Sequence, residues 1–218
     1  MGSRVRDLIR LKDFRWVFWD FDGVIKESVD AKGDAFARLF VHFGEKIAKR
    51  VRVHHESNGG MSRYQKIPLY LDWAGEKPTV ERVNDYCQRF GDLTRQAVIQ
   101  SQWVPGVEAI LRDNPYEQTF VLVSATPQHD IEHILDELNL RRTFLEVCGA
   151  PTSKAIGVRC VLERYSLLPT YCVFIGDSQA DWDAATENRM PFILRKHASN
   201  SGTFQRFTGH FLRDFTNL

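Results

Sequence analysis

Apolar and polar positions alternate in three distinct ways along the chain. Trp16-Val17-Phe18-Trp19 is a short apolar run that ends in Asp20-Phe21-Asp22-Gly23-Val24, as a buried strand does when it delivers reactive side chains to one edge of a sheet. After Ile25 the period turns helical and stays so to residue 100. Phe36, Leu39, Phe40 and Phe43 form one apolar stripe, and Gly44 is placed to stop that helix. A basic segment runs from Glu45 to His55, followed by Ser57-Asn58-Gly59-Gly60, a turn by composition because adjacent glycines lose much backbone entropy on ordering. The next helix starts near Ser62 and is expected to end or kink at Ile67-Pro68, where proline removes a backbone donor. Thr79 can cap a last long helix with Val80, Val83, Cys87 and Phe90 on its inner face.

Trp103-Val104-Pro105-Gly106 returns the chain to a different pattern, in which strands and helices alternate. Val107, Ile110 and Leu111 mark a short helix, and residues 119–123 an apolar strand ending at Ser124. Helix 130–139 buries Ile131, Ile134, Leu135 and Leu138. Strand 144–148, helix 154–165, strand 171–175, helix 179–187 and strand 192–194 follow. Asn188 can end its helix in the left-handed conformation. This pattern predicts an α/β fold, an open, mostly parallel Rossmann-like sheet with helices on both faces. The core comprises residues 1–25 and 101–218, and 26–100 form an inserted helical subdomain. Residues 1 to 14 read as an irregular lead-in with one helical turn through Leu8, Ile9 and Leu11. The aromatic tail (Phe204, Phe207, Phe211, Phe215) reads as a packed edge.

Composition narrows the class rather than the chemistry. With 43% apolar and 26% charged residues, the 218-residue chain is neither disordered nor a disulfide scaffold. Its net charge of +1 gives no sign of a nucleic-acid or membrane partner. Locally, Lys46, Lys49, Arg50, Arg52, Arg63 and Lys66 face a single acid, Glu56. That band is either a solvated helix face or a wall that attracts an anionic substrate. Arg63, Lys66, His55 and Asn58 are its candidate substrate contacts. Cys87, Cys148, Cys160 and Cys172 include no Cys-x-x-Cys, so reduced thiols are expected. His129 and His133 lie four apart, but opposite the apolar face of their helix, so a solvated surface is expected there. Charges throughout the first residues leave no signal-peptide apolar region, and no later run could cross a bilayer. A soluble cytoplasmic protein, monomer or dimer, is expected.

The strand ends carry the chemistry. In an open parallel sheet the ligand lies off the carboxyl ends of the strands. Asp20 and Asp22 follow the first strand, Ser124 the second, and Asp177 with Asp181 the fourth, while Lys154 starts a helix. Two close acids repel, and a divalent metal is the usual compensation. Singly, each element is equally a turn, a helix cap or surface charge. In order, Asp20-Phe21-Asp22-Gly23-Val24, Val123-Ser124-Ala125-Thr126-Pro127, Gly149-Ala150-Pro151 with Lys154, and Phe174-Ile175-Gly176-Asp177-Ser178 with Asp181 resemble the four motifs of the haloacid dehalogenase superfamily. The helical insertion is similar to the small cap of its phosphoglycolate phosphatase and β-phosphoglucomutase relatives.

The resemblance implies a magnesium-dependent phosphatase acting on a small phosphorylated metabolite, a sugar phosphate or phospho-acid. Asp20 would attack phosphorus to form an aspartyl phosphate. Asp22 would act as acid and then base. That role needs a raised pKa, which the apolar Phe18, Trp19 and Phe21 are expected to provide. Ser124 and Ala125 would hold the phosphate, and Lys154 would offset its charge. Asp20, the main-chain carbonyl of Asp22, Asp177 and Asp181 would surround Mg2+. Lys26 and Arg63 are further candidate substrate contacts. Ile25-Lys26-Glu27-Ser28 departs from the apolar-Asp-Ser hinge common in phosphoglycolate phosphatases, which counts against that substrate. Gly60-Met61-Ser62-Arg63 resembles a cap loop of β-phosphoglucomutases, so a phosphomutase stays open. A non-catalytic binding or regulatory protein on the same fold is the alternative of a different class.

Overall fold

The computed structural model describes residues 10–216. Six strands form one sheet: β1 (Trp16–Trp19), β2 (Thr119–Pro127), β3 (Phe144–Ala150), β4 (Cys172–Gly176), β5 (Phe192–Arg195) and β6 (His210–Leu212). Their order is β3-β2-β1-β4-β5-β6, and every pairing is parallel. The sheet is thus wholly rather than mostly parallel. β6 was not expected, because three residues are too short a run for a period to show. Of the predicted lead-in turn, Leu8 and Ile9 lie outside the described residues, and Leu11–Asp13 form a single 3₁₀ turn.

β1 is central and buried on both faces. Its residues alternate between two cores, as the two-residue strand period requires. Val17 and Trp19 join Leu122, Val173 and Ile175 beneath α5 (Val107–Asp113) and α6 (Gln128–Glu137). Phe18 joins Val121, Val123 and Phe174 beneath α7 (Lys154–Arg164) and α8 (Gln179–Glu187). At the end of α8 the left-handed residue is Arg189 (φ +55°), not Asn188. Asn188 instead donates its side-chain amide to the carbonyls of Ala184 and Ala155. In the tail Phe204 and Phe215 are buried, while Phe211 on edge strand β6 is exposed.

Between β1 and α5 run α1 (Val29–Phe40), α2 (Glu45–Ser57), α3 (Arg63–Trp73) and α4 (Val80–Gln100). They pack around a core of their own, in which Phe36 stacks on Phe90 with ring centroids 3.8 Å apart. Gly44, at φ +101°, ends the 3₁₀ turn that follows α1, as its place in the sequence suggests. Helix α3 does not stop at Pro68. Burial of Ile67, Tyr70 and Leu71 carries it through to Trp73, outweighing the backbone bond that proline forgoes. Thr79 caps α4 by accepting from Arg82 N. Val80 points to solvent rather than inward, while Cys87 and Phe90 are buried. Entry to and exit from the insertion are pinned together by an isolated antiparallel bridge between Lys26 and Trp103.

Candidate active site

The carboxyl ends of β1, β2 and β4 converge on a buried cluster of charge. Asp20 leaves β1 with its backbone N–H donating to Ile175 O, so the β4 ladder fixes its position. Gly23 makes the next turn at φ +76°, and a Cβ there would lie 2.1 Å from Asp177 Oδ2. Only glycine lets the loop after β1 approach the loop after β4 so closely. Lys154, the first residue of α7, places its ammonium 2.7 Å from Asp20 Oδ1 and 2.6 Å from Asp181 Oδ1. The other oxygen of Asp181 accepts from the N–H groups of Asp177 and Ser178 and from Ser178 Oγ. Those bonds cap α8 and leave Asp181 fully buried.

Asp20, Asp177 and Asp181 each place a carboxylate oxygen within 4.8 Å of the others. Burial, followed by repulsion from Asp181, pushes Asp20 well above the usual carboxylate range. Burial also raises Asp177, opposed by His197, whose Nε2 lies 2.7 Å from Asp177 Oδ2. Burial works against the charge on Lys154, but Asp181 and Asp20 outweigh it and raise its pKa. Three carboxylates around one ammonium leave negative charge in excess. An all-oxygen donor set of this kind fits a hard divalent cation.

Asp22 is in a different environment. Its Oδ1 accepts from Ser28 Oγ at 2.5 Å, and its Oδ2 lies 2.5 Å from the ammonium of Lys32 on α1. Thr126 Oγ1 completes the set, 3.3 Å from Asp22 Oδ2 and 2.9 Å from Lys32 Nζ. Burial alone would raise this pKa, but Lys32 and Ser28 more than offset it and Asp22 is lowered. The raised value expected from its aromatic neighbours in the sequence is therefore corrected. Those rings pack into the sheet cores, and the carboxylate meets cations and hydroxyls instead.

Asp20, Asp22, Lys154, Asp177, Ala125 and Arg63 line one cleft of about 540 Å³, its open mouth included, with Lys32, His55 and Lys66 on the same walls. Ser124 lies beside it with its Oγ accepting from Thr126 N. Lys26 is not brought there. Its ammonium donates to Ile99 O at 3.1 Å and sits over the Trp103 ring. Asn58 donates to His54 O; of the other members of the basic band, Lys46, Lys49 and Arg50 are exposed, and Arg52 pairs with Asp34 and Glu56. His129 is exposed, as expected. The loop between α2 and α3 closes one side of the cleft. A Cβ on Gly60 would lie 2.4 Å from Ser178 Oγ and 2.5 Å from Ala180 Cβ.

Sequence reasoning did not find Lys32, Thr126 or His197 as site residues. Ser28 and Lys32 are four apart at the start of α1, so a shared helix face was the one available signal. His197 follows β5 and belongs to no motif.

Residues 17–194 match the family of haloacid dehalogenase-like hydrolases. The chain belongs to that family. The matched stretch contains Asp20, Asp22, Ser124, Lys154, Asp177 and Asp181, while His197 lies beyond it. Several solved haloacid dehalogenase-like folds are similar to this one. CbbY from Rhodobacter sphaeroides in complex with phosphate is 15% identical, with 94% of this chain and 96% of that one covered and a TM-score of 0.75. β-Phosphoglucomutase from Clostridium difficile is 18% identical, with 94% and 93% covered and a TM-score of 0.72. A predicted phosphoglycolate phosphatase from Haemophilus somnus is 16% identical, with 94% and 96% covered and a TM-score of 0.70. These likenesses establish the fold, one shared by phosphatases and phosphomutases. No curated protein matches the sequence significantly. Among the described residues no helix is long and apolar enough to cross a membrane.

Proposed function

We propose that the protein is a magnesium-dependent phosphatase that hydrolyses a small phosphorylated metabolite through an aspartyl phosphate on Asp20. The observation that carries this reading is the buried Asp20 carboxylate at a strand end, open to the cleft and 2.7 Å from Lys154. Asp20, the Asp22 carbonyl and Asp177 would hold the cation, with Asp181 holding Lys154 in line. When bound, magnesium supplies positive charge to the phosphoryl oxygens and keeps Asp20 ionised.

Asp20 forms a bond to phosphorus while the ester bond to the leaving alkoxide breaks, and Lys154 offsets charge on the transferred group. Ser124 and Ala125 bound the phosphate site at the end of β2. Water then attacks phosphorus, losing its proton to Asp22 and regenerating Asp20. The lowered pKa of Asp22 suits that second half. To protonate the leaving alkoxide in the first half, Asp22 must already carry a proton, a state that its burial favours and that Lys32 and Ser28 oppose. The insertion acts as a cap that excludes water and selects substrate.

The test is phosphate release from p-nitrophenyl phosphate with magnesium. Asp20→Asn and chelation by EDTA should each abolish it, and undiminished turnover by Asp20→Asn overturns the reading. A phosphomutase is the second reading, favoured by the Gly59 and Met61 loop enclosing the cleft. Transfer of the phosphoryl group to a second hydroxyl, seen as isomerised product, would identify it.

A further inference from the structure

The cleft wall contributed by the helical insertion carries a cation that, among the described residues, makes no ion pair. Lys66 on α3 is 1% exposed and lines the cleft with Asp20, Lys32 and Lys154. Among the described residues its ammonium has one polar contact, His55 Nδ1 at 3.0 Å. The other cations of the cleft are paired. Lys154 is held by Asp20 and Asp181, and Lys32 by Asp22. Arg63, one turn before Lys66, is bound to Asp130 at 2.9 Å and donates to Cys87 O at 3.0 Å.

A buried ammonium without an anion is costly, because it gives up hydration and gains no ion pair. Burial, and next the nearby Lys32, pull its pKa down to about 7 against the attraction of Asp22, which makes no ion pair with it. Nothing in the packing of α3 asks for that cost, since its neighbours Ile67, Tyr70 and Leu71 already fill the insertion's core. His55, itself buried with its pKa well below normal, accepts the hydrogen bond and fixes the ammonium's position. Phe36 and Phe90 line the same wall and exclude water, which strengthens any charge contact made there.

We propose that Lys66 is the specificity residue for a second anionic group on the substrate, a compact phosphomonoester whose remainder carries a carboxylate or a second phosphate. The inference rests on the phosphatase reading, with the reacting phosphate at Asp20 and the second anion at Lys66. It disfavours esters of neutral alcohols and sugars. Of the insertion's candidate substrate contacts it selects Lys66 over Arg63, which is committed to Asp130.

The test uses three probes of matched length: glycerol 3-phosphate, 3-phosphoglycerate and glycerol 1,3-bisphosphate. Affinities are measured by calorimetry with magnesium on Asp20→Asn, so that turnover does not enter. We expect 3-phosphoglycerate or glycerol 1,3-bisphosphate to bind at least about tenfold tighter than glycerol 3-phosphate, which is the scale of one charge-assisted contact. The favoured probe tells a carboxylate from a phosphate. Adding Lys66→Met should bring the three affinities to within about twofold, and Lys66→Gln, polar but uncharged, must do the same. Equal affinities in Asp20→Asn, or a preference that survives both Lys66 substitutions, overturn the inference. If the wild-type protein releases phosphate from no ester while the binding preference holds, the phosphatase reading fails and the anion site stands.

Discussion

Lys32 and Lys154 divide the paired positive charge of the catalytic carboxylates, Lys32 holding Asp22 and Lys154 holding Asp20 and Asp181. Lys32 keeps Asp22 ionised despite its burial, so removing it leaves that carboxylate buried beside Ser28 and Thr126 alone. In Lys32→Met the pKa of Asp22 should rise, because burial then acts with less opposition. The stability that the ionised carboxylate contributes is present above its unfolded pKa and lost as pH falls through the lower folded one. Raising the folded value moves that loss to higher pH. The basic limb of the kcat/KM profile, set where Asp22 loses the proton that the first half needs, should also move to higher pH, and a limb that stays in place would show that Lys32 does not control Asp22. The charges of the core motifs were legible in the sequence because they stood at strand ends or a helix start. Asp20, Asp22, Lys154, Asp177 and Asp181 are each placed by a short strand or a helix start. Lys32 and His197 come from a helix face and a late loop, and only the tertiary fold brings them to Asp22 and Asp177.

At the scale of elements, α3 joins the insertion to the sheet. Arg63 reaches across to Asp130 on α6, both side chains largely buried, and Arg95 lies 3.5 Å from the same carboxylate. Asp130→Asn would strand the Arg63 guanidinium in the insertion, and should cost about 3 kcal/mol in urea denaturation. A loss below about 0.5 kcal/mol, the scale of a surface pair, would show that the contact is not needed to hold the two parts together. Helix periodicity found α1 to α8 in outline, since each buries one face. It failed at Pro68, where the sequence shows a missing donor but not the three buried side chains that outweigh it. It failed again at Val80, the first residue of α4, where the chain has not yet reached the insertion's core. β6 escaped because pairing with β5, rather than any run of its own, makes it a strand.

For the molecule as a whole, the sheet order puts β1 between β2 and β4, so one loop reaches both the Ser124 end of β2 and the acid cluster. The insertion departs from that same loop and packs around a separate core, with the cleft lying between the two. This division can be followed by thiol chemistry. Cys87 is buried in the insertion's core and Cys172 beneath α7 and α8, and burial lifts both thiols to about 11. Cys160 is exposed on α7. Under a maleimide probe Cys160 should react at once, while Cys87 and Cys172 wait for their own cores to open. If the insertion loosens independently of the sheet, Cys87 will label first by a wide margin, and a ligand that bridges the cleft will slow Cys87 far more than Cys172. Coincident rates, equally slowed, would mean that the two cores open as one. The chain therefore carries a natural reporter in each half, and the timing of a single chemical label can register closure of the cleft.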